Sequence, residues 1–311
     1  MTSFRFRSAL MAVLFAAALG FAPPGMAADN PSHDLDVARN YLEQRNYVRA
    51  LGYFKKALAA QIQAHGIEHT QTAAIENEIG LASLDILQLD EALDAFTQAN
   101  VIYRKLPGHK AEVAATYNNI GRVFNAHGDY LKALEWHHKA IQIQEATFGK
   151  KHRETAASYN YVAVVYYNQG DYARALEWHQ KALSADARTI GAHPDTANIY
   201  NNLATLHARQ GNYAKELEWF QKALTVEEKI LGKGHLNIAT TYGNIAWAYA
   251  HQGNYPKALE WYRKALEIRE KTFGKTHPYT LSVRENMQAV YEKSGNPEPF
   301  EEWLEKPLTP Q

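Results

Sequence analysis

The segments Gly128-Asp129-Tyr130, Gly170-Asp171-Tyr172, Gly211-Asn212-Tyr213 and Gly253-Asn254-Tyr255 recur at intervals of 42, 41 and 42 residues. Trp136, Trp178, Trp219 and Trp261 keep that spacing, and so do His152, His193, His235 and His277. The tyrosine slot extends back through Leu89 to Tyr47. Four residue types on one period point to a stack of small repeated units rather than one large core.

Each unit reads as two amphipathic helices. In the third, Val113, Tyr117, Ile120, Gly121 and Phe124 fall at i, i+4, i+7, i+8 and i+11, one stripe of a 3.6-residue helix. Gly128 then supplies the positive φ that closes a helix, and Asp129 can cap a second one. The second helix turns Ala133, Leu134, Ala140 and Ile141 inward and ends near Thr147, before Phe148-Gly149-Lys150. Pro194 and Pro278 stand where first helices begin, a site at which proline costs nothing. An isolated pair of helices cannot bury both faces, so the units must stack and share a core. Ala57, Ala99, Ala140, Ala182, Ala223 and Ala265 hold one equivalent slot in all six units, where a small side chain lets helices approach closely.

The ends differ. Arg5 and Arg7 precede an apolar run from Ala9 to Ala22, then Pro23-Pro24-Gly25, and Gly25-Met26-Ala27 offers small residues for cleavage. Residues 1–27 therefore read as a secretory signal peptide, and the chain as exported to a bacterial periplasm or beyond the cell. The run is short for a membrane anchor, the other reading of it. Thirty-three basic residues balance thirty-three acidic ones, which gives no field to attract nucleic acid or an anionic membrane. There is no cysteine, so disulfides, thiol chemistry and cysteine-bound zinc are excluded.

These residues resemble the tetratricopeptide repeat, whose first helix carries a large apolar residue, then Gly or Ala, then an aromatic. Ile120-Gly121 with Phe124, Val162-Ala163 with Tyr166, and Ile245-Ala246 with Tyr249 match. The second helix matches through Ala133 and Ala140, Ala175 and Ala182, Ala258 and Ala265. The period exceeds the usual 34 residues by about two helical turns. Ala265 to Pro278 and the pairs Asn118-Asn119 and Asn201-Asn202 look like the longer repeats of kinesin light chains. The resemblance covers residues 34–294 and implies an all-α, right-handed superhelical solenoid of six hairpins. The repeats are expected at 34–68, 69–109, 110–151, 152–192, 193–234 and 235–276, with a half-repeat at 277–294. Residues 295–311 are expected to form a cap, through Phe300, Trp303 and Leu304, and a tail from Pro307. Two departures stand out: Arg45 and Leu87 occupy the turn-glycine slot of the first two repeats.

The resemblance also implies a concave groove lined by the first helices. Its groove-facing slot holds Glu78, Asn119, Tyr161, Asn202, Asn244 and Asn286, preceded by Asn77, Asn118, Asn160 and Asn201. Asparagine is a poor interior helix residue. Its recurrence is explained if the carboxamides pair with the backbone of an extended peptide, or if they bond one another and set repeat spacing. Arg122, Asn125, Tyr167, Asn168, Arg209, Trp247 and His251 follow on the same helices as candidate partner contacts or inter-repeat packing. The repeated histidines are expected to orient the loop before each first helix, not to gather around a metal, because they lie a repeat apart. His137 and His179 stand where the family prefers bulk. The tryptophans read as packing rather than a sugar or base platform.

No nucleophile with its base, phosphate loop or paired carboxylates interrupts the repeat. The expectation is a non-enzymatic adaptor without cofactor that holds a protein or peptide. The alternatives are a self-assembling structural solenoid and, more remotely, a cell-wall glycan-binding module.

Overall fold

The computed structural model describes residues 31–185 and 193–306, so the expected signal peptide and the tail from Pro307 lie outside the described residues. Those residues form helices joined by short turns, with no strand among them. They fall in two compact units that meet in sequence at Thr147 and Phe148. The first unit contains three antiparallel hairpins: α1 (Pro31–Glu43) with α2 (Tyr47–His65), α3 (Thr70–Asp85) with α4 (Leu89–Lys105), and α5 (Lys110–His127) with α6 (Tyr130–Phe148). The second contains α7 (Arg153–Asn168) with α8 (Tyr172–Ala185), α9 (Pro194–Arg209) with α10 (Tyr213–Leu231), and α11 (Leu236–His251) with α12 (Tyr255–Phe273). A lone first helix, α13 (Pro278–Lys293), and the short α14 (Phe300–Glu305) follow. This is the α-solenoid of stacked hairpins that the period implies.

Two residues make each hairpin turn. After α5, the Gly128 N–H bonds to the Asn125 carbonyl and the Asp129 N–H to that of Phe124, and Gly128 sits at φ 84°. Asp129 then accepts the Lys132 N–H and starts α6. The same closure recurs at Gly170-Asp171, Gly211-Asn212 and Gly253-Asn254. The first two hairpins keep the geometry without the glycine, because Arg45 and Leu87 themselves adopt φ 54° and 59°. The fold thus demands a left-handed residue even where the sequence does not supply the residue that takes it freely.

Between hairpins, histidine starts the first helix. His69, His152, His193, His235 and His277 lie on extended backbone, and each Nδ1 accepts the N–H two residues on. The rings do orient the loop, and they do so as helix caps. Among the described residues no three histidine, aspartate or glutamate side chains gather as a metal site.

Inside the stack, Ala57, Ala99, Ala140, Ala182, Ala223 and Ala265 are all 0% exposed. One turn before them on the same second helices is a bulky, buried slot filled by Phe54, Phe96, His137, His179, Phe220 and Tyr262. Bulk here forces smallness opposite: a Cβ on Gly121 would lie 2.6 Å from the His137 ring, and one on Gly80 2.5 Å from Phe96. Burial pushes His137 down to about 3 and His179 to about 4, so both rings are neutral in the core. Each of Trp136, Trp178, Trp219 and Trp261 lies half-buried against a first-helix tyrosine, at 5.2 Å for Tyr117–Trp136 and Tyr242–Trp261. Lysines Lys139, Lys181, Lys222 and Lys264 cover the four indoles at 4.1–4.3 Å. At the far end, Phe300 and Trp303 pack on Tyr291, and Arg263 lies over the Trp303 ring.

One core slot breaks the pattern. Ala50, Ala92, Ala133, Ala175 and Ala258 are matched in the fifth repeat by Glu216, only 1% exposed, whose Oε2 has no partner among the described residues. Burial pushes its carboxyl up to about 7. Its contribution to stability is therefore fully present below pH 4.5 and lost as the pH rises through 7. His137 and His179 act in the opposite sense, present above pH 6.5 and lost as the pH falls toward their folded values.

Leu87→Gly should raise stability by about 0.5–1 kcal/mol, because left-handed backbone costs a side-chain-bearing residue about 1–2 kcal/mol and glycine's extra chain entropy returns part of it. Gly170→Ala should lose a similar amount, and denaturant midpoints read both. Glu216→Ala should stabilise the protein at pH 8 and change little at pH 4.5; equal effects at the two pH values would contradict the buried-carboxyl account.

Candidate partner-binding surface

In the first unit, α3 and α5 lie side by side and are joined by a carboxamide rung. Asn119 Nδ2 donates to Asn77 Oδ1 at 2.8 Å, and Asn119 Oδ1 accepts from Arg122 at 3.1 Å. Glu78 is half-buried; burial pushes its carboxyl up and Arg39 pulls it back down. Asn118 points elsewhere. It is 4% exposed, and its Oδ1 meets His137 Nδ1 at 3.0 Å within the hairpin, which fixes that nitrogen as the protonated one. Successive residues on a helix stand about 100° apart, so the two asparagines of the pair face different surroundings.

The rung recurs in the second unit between α7 and α9, where Asn202 Nδ2 donates to Asn160 Oδ1 at 3.1 Å. Asn201, like Asn118, turns inward: it donates to Glu227 Oε1 at 3.1 Å, and the other carboxylate oxygen accepts the Thr241 hydroxyl at 2.7 Å. That chain of contacts ties α9 to α10 and α10 to α11. Asn244 is half-buried, whereas Asn168 and Asn286 are exposed. Tyr161 is half-buried in the slot that holds asparagine in the neighbouring repeats.

Toward the C-terminal ends of the first helices the surface changes character. Arg209 Nε donates to the Tyr167 hydroxyl at 2.8 Å, and Tyr172 packs on Tyr167 with ring centres 5.5 Å apart. One repeat on, Trp247 is 42% exposed and its ring lies 3.6 Å from that of His251. His251 Nδ1 donates back to the Trp247 carbonyl at 2.9 Å, and Tyr213 closes the cluster at 5.5 Å from the His251 ring. Arg209 is exposed and makes no ion pair with a described carboxylate.

The arrangement offers a cation, an indole and carboxamides on neighbouring first helices. Asn160 is buried beneath the rung, whereas Asn202 is half-buried and its Oδ1 makes no further bond to described residues. Tyr172 and Tyr213 belong to this surface although the sequence marked them only as period markers after Gly-Asx. Glu227 and Thr241 fall in slots that hold buried polar residues in other repeats, Gln61 and Gln144 for the first and Thr116 and Ser158 for the second, a signal that could have revealed them.

A double-mutant cycle on Asn160→Ala and Asn202→Ala should show coupling of about 0.5–1.5 kcal/mol, the worth of one such hydrogen bond. Additive effects would mean that the rung contributes nothing to stacking.

No curated protein matches the chain. Among solved structures, the Rap conjugation gene regulator of plasmid pLS20, determined in complex with the Phr* peptide, superposes with a TM-score of 0.61 at 17% identity, covering 92% of this chain and 84% of that one. BtubC (BKLC) from P. vanneervenii gives a TM-score of 0.54 at 16% identity, covering 80% and 94%. A putative kinesin light chain of nearly identical TPR-like repeats from Podosopora anserina gives 0.54 at 22%, covering 64% and 94%. At these identities the likeness is one of fold. The tetratricopeptide-repeat profile matches residues 31–105, 112–188, 154–228, 195–271 and 239–306 in overlapping registers, nearly the whole of the described chain. With the paired helices, the turn chemistry and the small-residue slots in place, the chain belongs to the tetratricopeptide-repeat family.

Proposed function

We propose that this protein is an exported scaffold that binds a protein or an extended peptide along its first helices. The observation that carries the reading is the Tyr213, Trp247 and His251 cluster with Arg209 one repeat before it. An exposed indole is costly to leave in water unless something covers it, and Trp and Arg are the side chains that most often anchor a partner. The neighbour bound to a peptide, the Rap regulator, is consistent with such use of the fold. Asn202 Oδ1 supplies a backbone-like acceptor beside the anchor. A partner would be held there by a main-chain hydrogen bond, with limited demands on sequence.

The recurrent polar groups are periodic, which favours binding over catalysis and needs no cofactor. Export rests on Arg5, Arg7 and the apolar run before Ala27. Among the described residues no helix is long and apolar enough to cross a membrane.

Peptides selected from a random library against the intact protein should lose at least about tenfold in affinity to a Trp247→Ala, Arg209→Ala variant. Their affinity for Lys139→Ala, on a second helix, should be unchanged. Equal binding to all three proteins would overturn the assignment of the surface. For export, the protein recovered from the envelope fraction should begin at Ala28; an intact residue 1 there would contradict cleavage.

A further inference from the structure

The two helices of a hairpin are capped by different chemistry. Second helices start at Asn46, Asp129, Asp171, Asn212 and Asn254, whose oxygens accept the N–H three residues on. First helices start at His69, His152, His193, His235 and His277. Their Nδ1 atoms accept from Gln71 (3.1 Å), Glu154 (3.3 Å), Asp195 (3.2 Å), Asn237 (3.2 Å) and Tyr279 (3.2 Å). A ring nitrogen accepts only while it carries no proton, so these rings are neutral with the hydrogen on Nε2. The next proton must go to Nδ1. It turns the acceptor into a donor facing another donor, and it sets a positive charge at the positive end of a helix dipole.

We propose that the five histidines form a distributed acid-sensitive latch: protonation uncaps the first helices together and loosens the turns between hairpins, while the second helices stay capped. The device acts at the N-terminal ends of the first helices, the ends opposite Tyr167, Arg209, Trp247 and His251, and it stands without that surface. Asparagine, which caps second helices at Asn46, Asn212 and Asn254, has no such proton to take up.

Neighbouring groups grade the response from turn to turn. Gln61 of α2 also donates to His69 Nδ1 at 3.1 Å, and the His65 ring lies 5.1 Å away, so two features oppose a cation there. The nearby Glu68 is engaged by Lys105 of α4. His152 is stacked on Phe148 at 4.6 Å, beside the Arg153–Glu154 pair. At His193 the Asp195 carboxylate is 3.2 Å from Nδ1 and can take over the hydrogen bond, so this cap softens rather than breaks. Glu227 of α10, whose carboxyl burial pushes up and hydrogen bonds from Thr241 and Asn201 pull back down, stands near His235 and would be drawn further down by a charged ring there. His277 is stacked on Phe273, and Arg269 of α12 donates to the Tyr279 carbonyl close by. The start of α5 is the exception. His109 makes no side-chain cap, and its Nδ1 lies 3.3 Å from Glu112.

The test replaces all five histidines of the full chain with asparagine (His69→Asn, His152→Asn, His193→Asn, His235→Asn, His277→Asn), which keeps a capping oxygen that protons do not remove. Melting curves are compared at pH 7.5 and pH 5.5. His137, His179 and Glu216 titrate in both proteins, so their effect cancels in the comparison. Wild type should lose about 5 °C or more beyond what the variant loses. Nitrogen NMR of the labelled rings should also show an unprotonated Nδ1 at pH 7.5. Parallel pH profiles for the two proteins, or a protonated Nδ1 at pH 7.5, would overturn the proposal. Should the fivefold variant fail to fold, His152→Asn and His277→Asn singly should each remove part of the pH dependence, and no reduction in either would overturn it equally.

Discussion

Two helices pack closely only if something small stands where their surfaces touch, and in this chain that condition is met six times over at one slot. Ala57, Ala99, Ala140, Ala182, Ala223 and Ala265 are wholly buried. Everything else is arranged around this contact. One turn earlier on the same helices the slot is bulky, in Phe54, Phe96, His137, Phe220 and Tyr262, and glycine meets that bulk from the first helix at Gly80 against Phe96 and at Gly121 against His137. Because each hairpin exposes a face that only the next can cover, stability is a property of neighbours and not of single repeats.

That dependence explains how polar side chains are deployed. Helix ends and inter-helix seams are where backbone groups go unpaired, and there the chain places Gly-Asx at one turn and histidine at the other. The asparagine rungs Asn77–Asn119 and Asn160–Asn202 serve the same purpose along the first helices. Rigid spacing of this kind also helps recognition. Side chains held by their neighbours lose little further freedom when a partner arrives, which would leave the Tyr167–Arg209 pair of the proposed surface preorganised.

Much of the fold was legible in the residues themselves. A single period, glycine at every later turn, Asx after it and proline at the starts of first helices leave little choice of architecture. The positive φ at Arg45 and Leu87 was implied by position although the residue types argue against it. The surface was read less completely, and for a geometric reason. Asn118 and Asn119 are adjacent in sequence but face different neighbours, and only the packing of His137 decides which turns inward. Asn201 likewise turns toward Glu227, whose slot holds glutamine in the first and third repeats and gives no charge pattern to flag. Tyr172 and Tyr213 begin second helices, and nothing in a helical pattern says that they reach back to the ends of first ones. The histidines were legible as loop organisers, but the accepting nitrogen that makes them caps is a matter of ring orientation.

The claim that repeats hold one another is tested most directly by amide exchange on an Ala182→Leu variant. Ala182 lies in α8, which packs on both α7 and α9. Overfilling the slot should cost about 1–3 kcal/mol. The account predicts that protection falls in α7 and across the seam in α9, as well as in α8. Loss confined to α8, with α9 as protected as in wild type, would show hairpins that are stable on their own and would contradict the account.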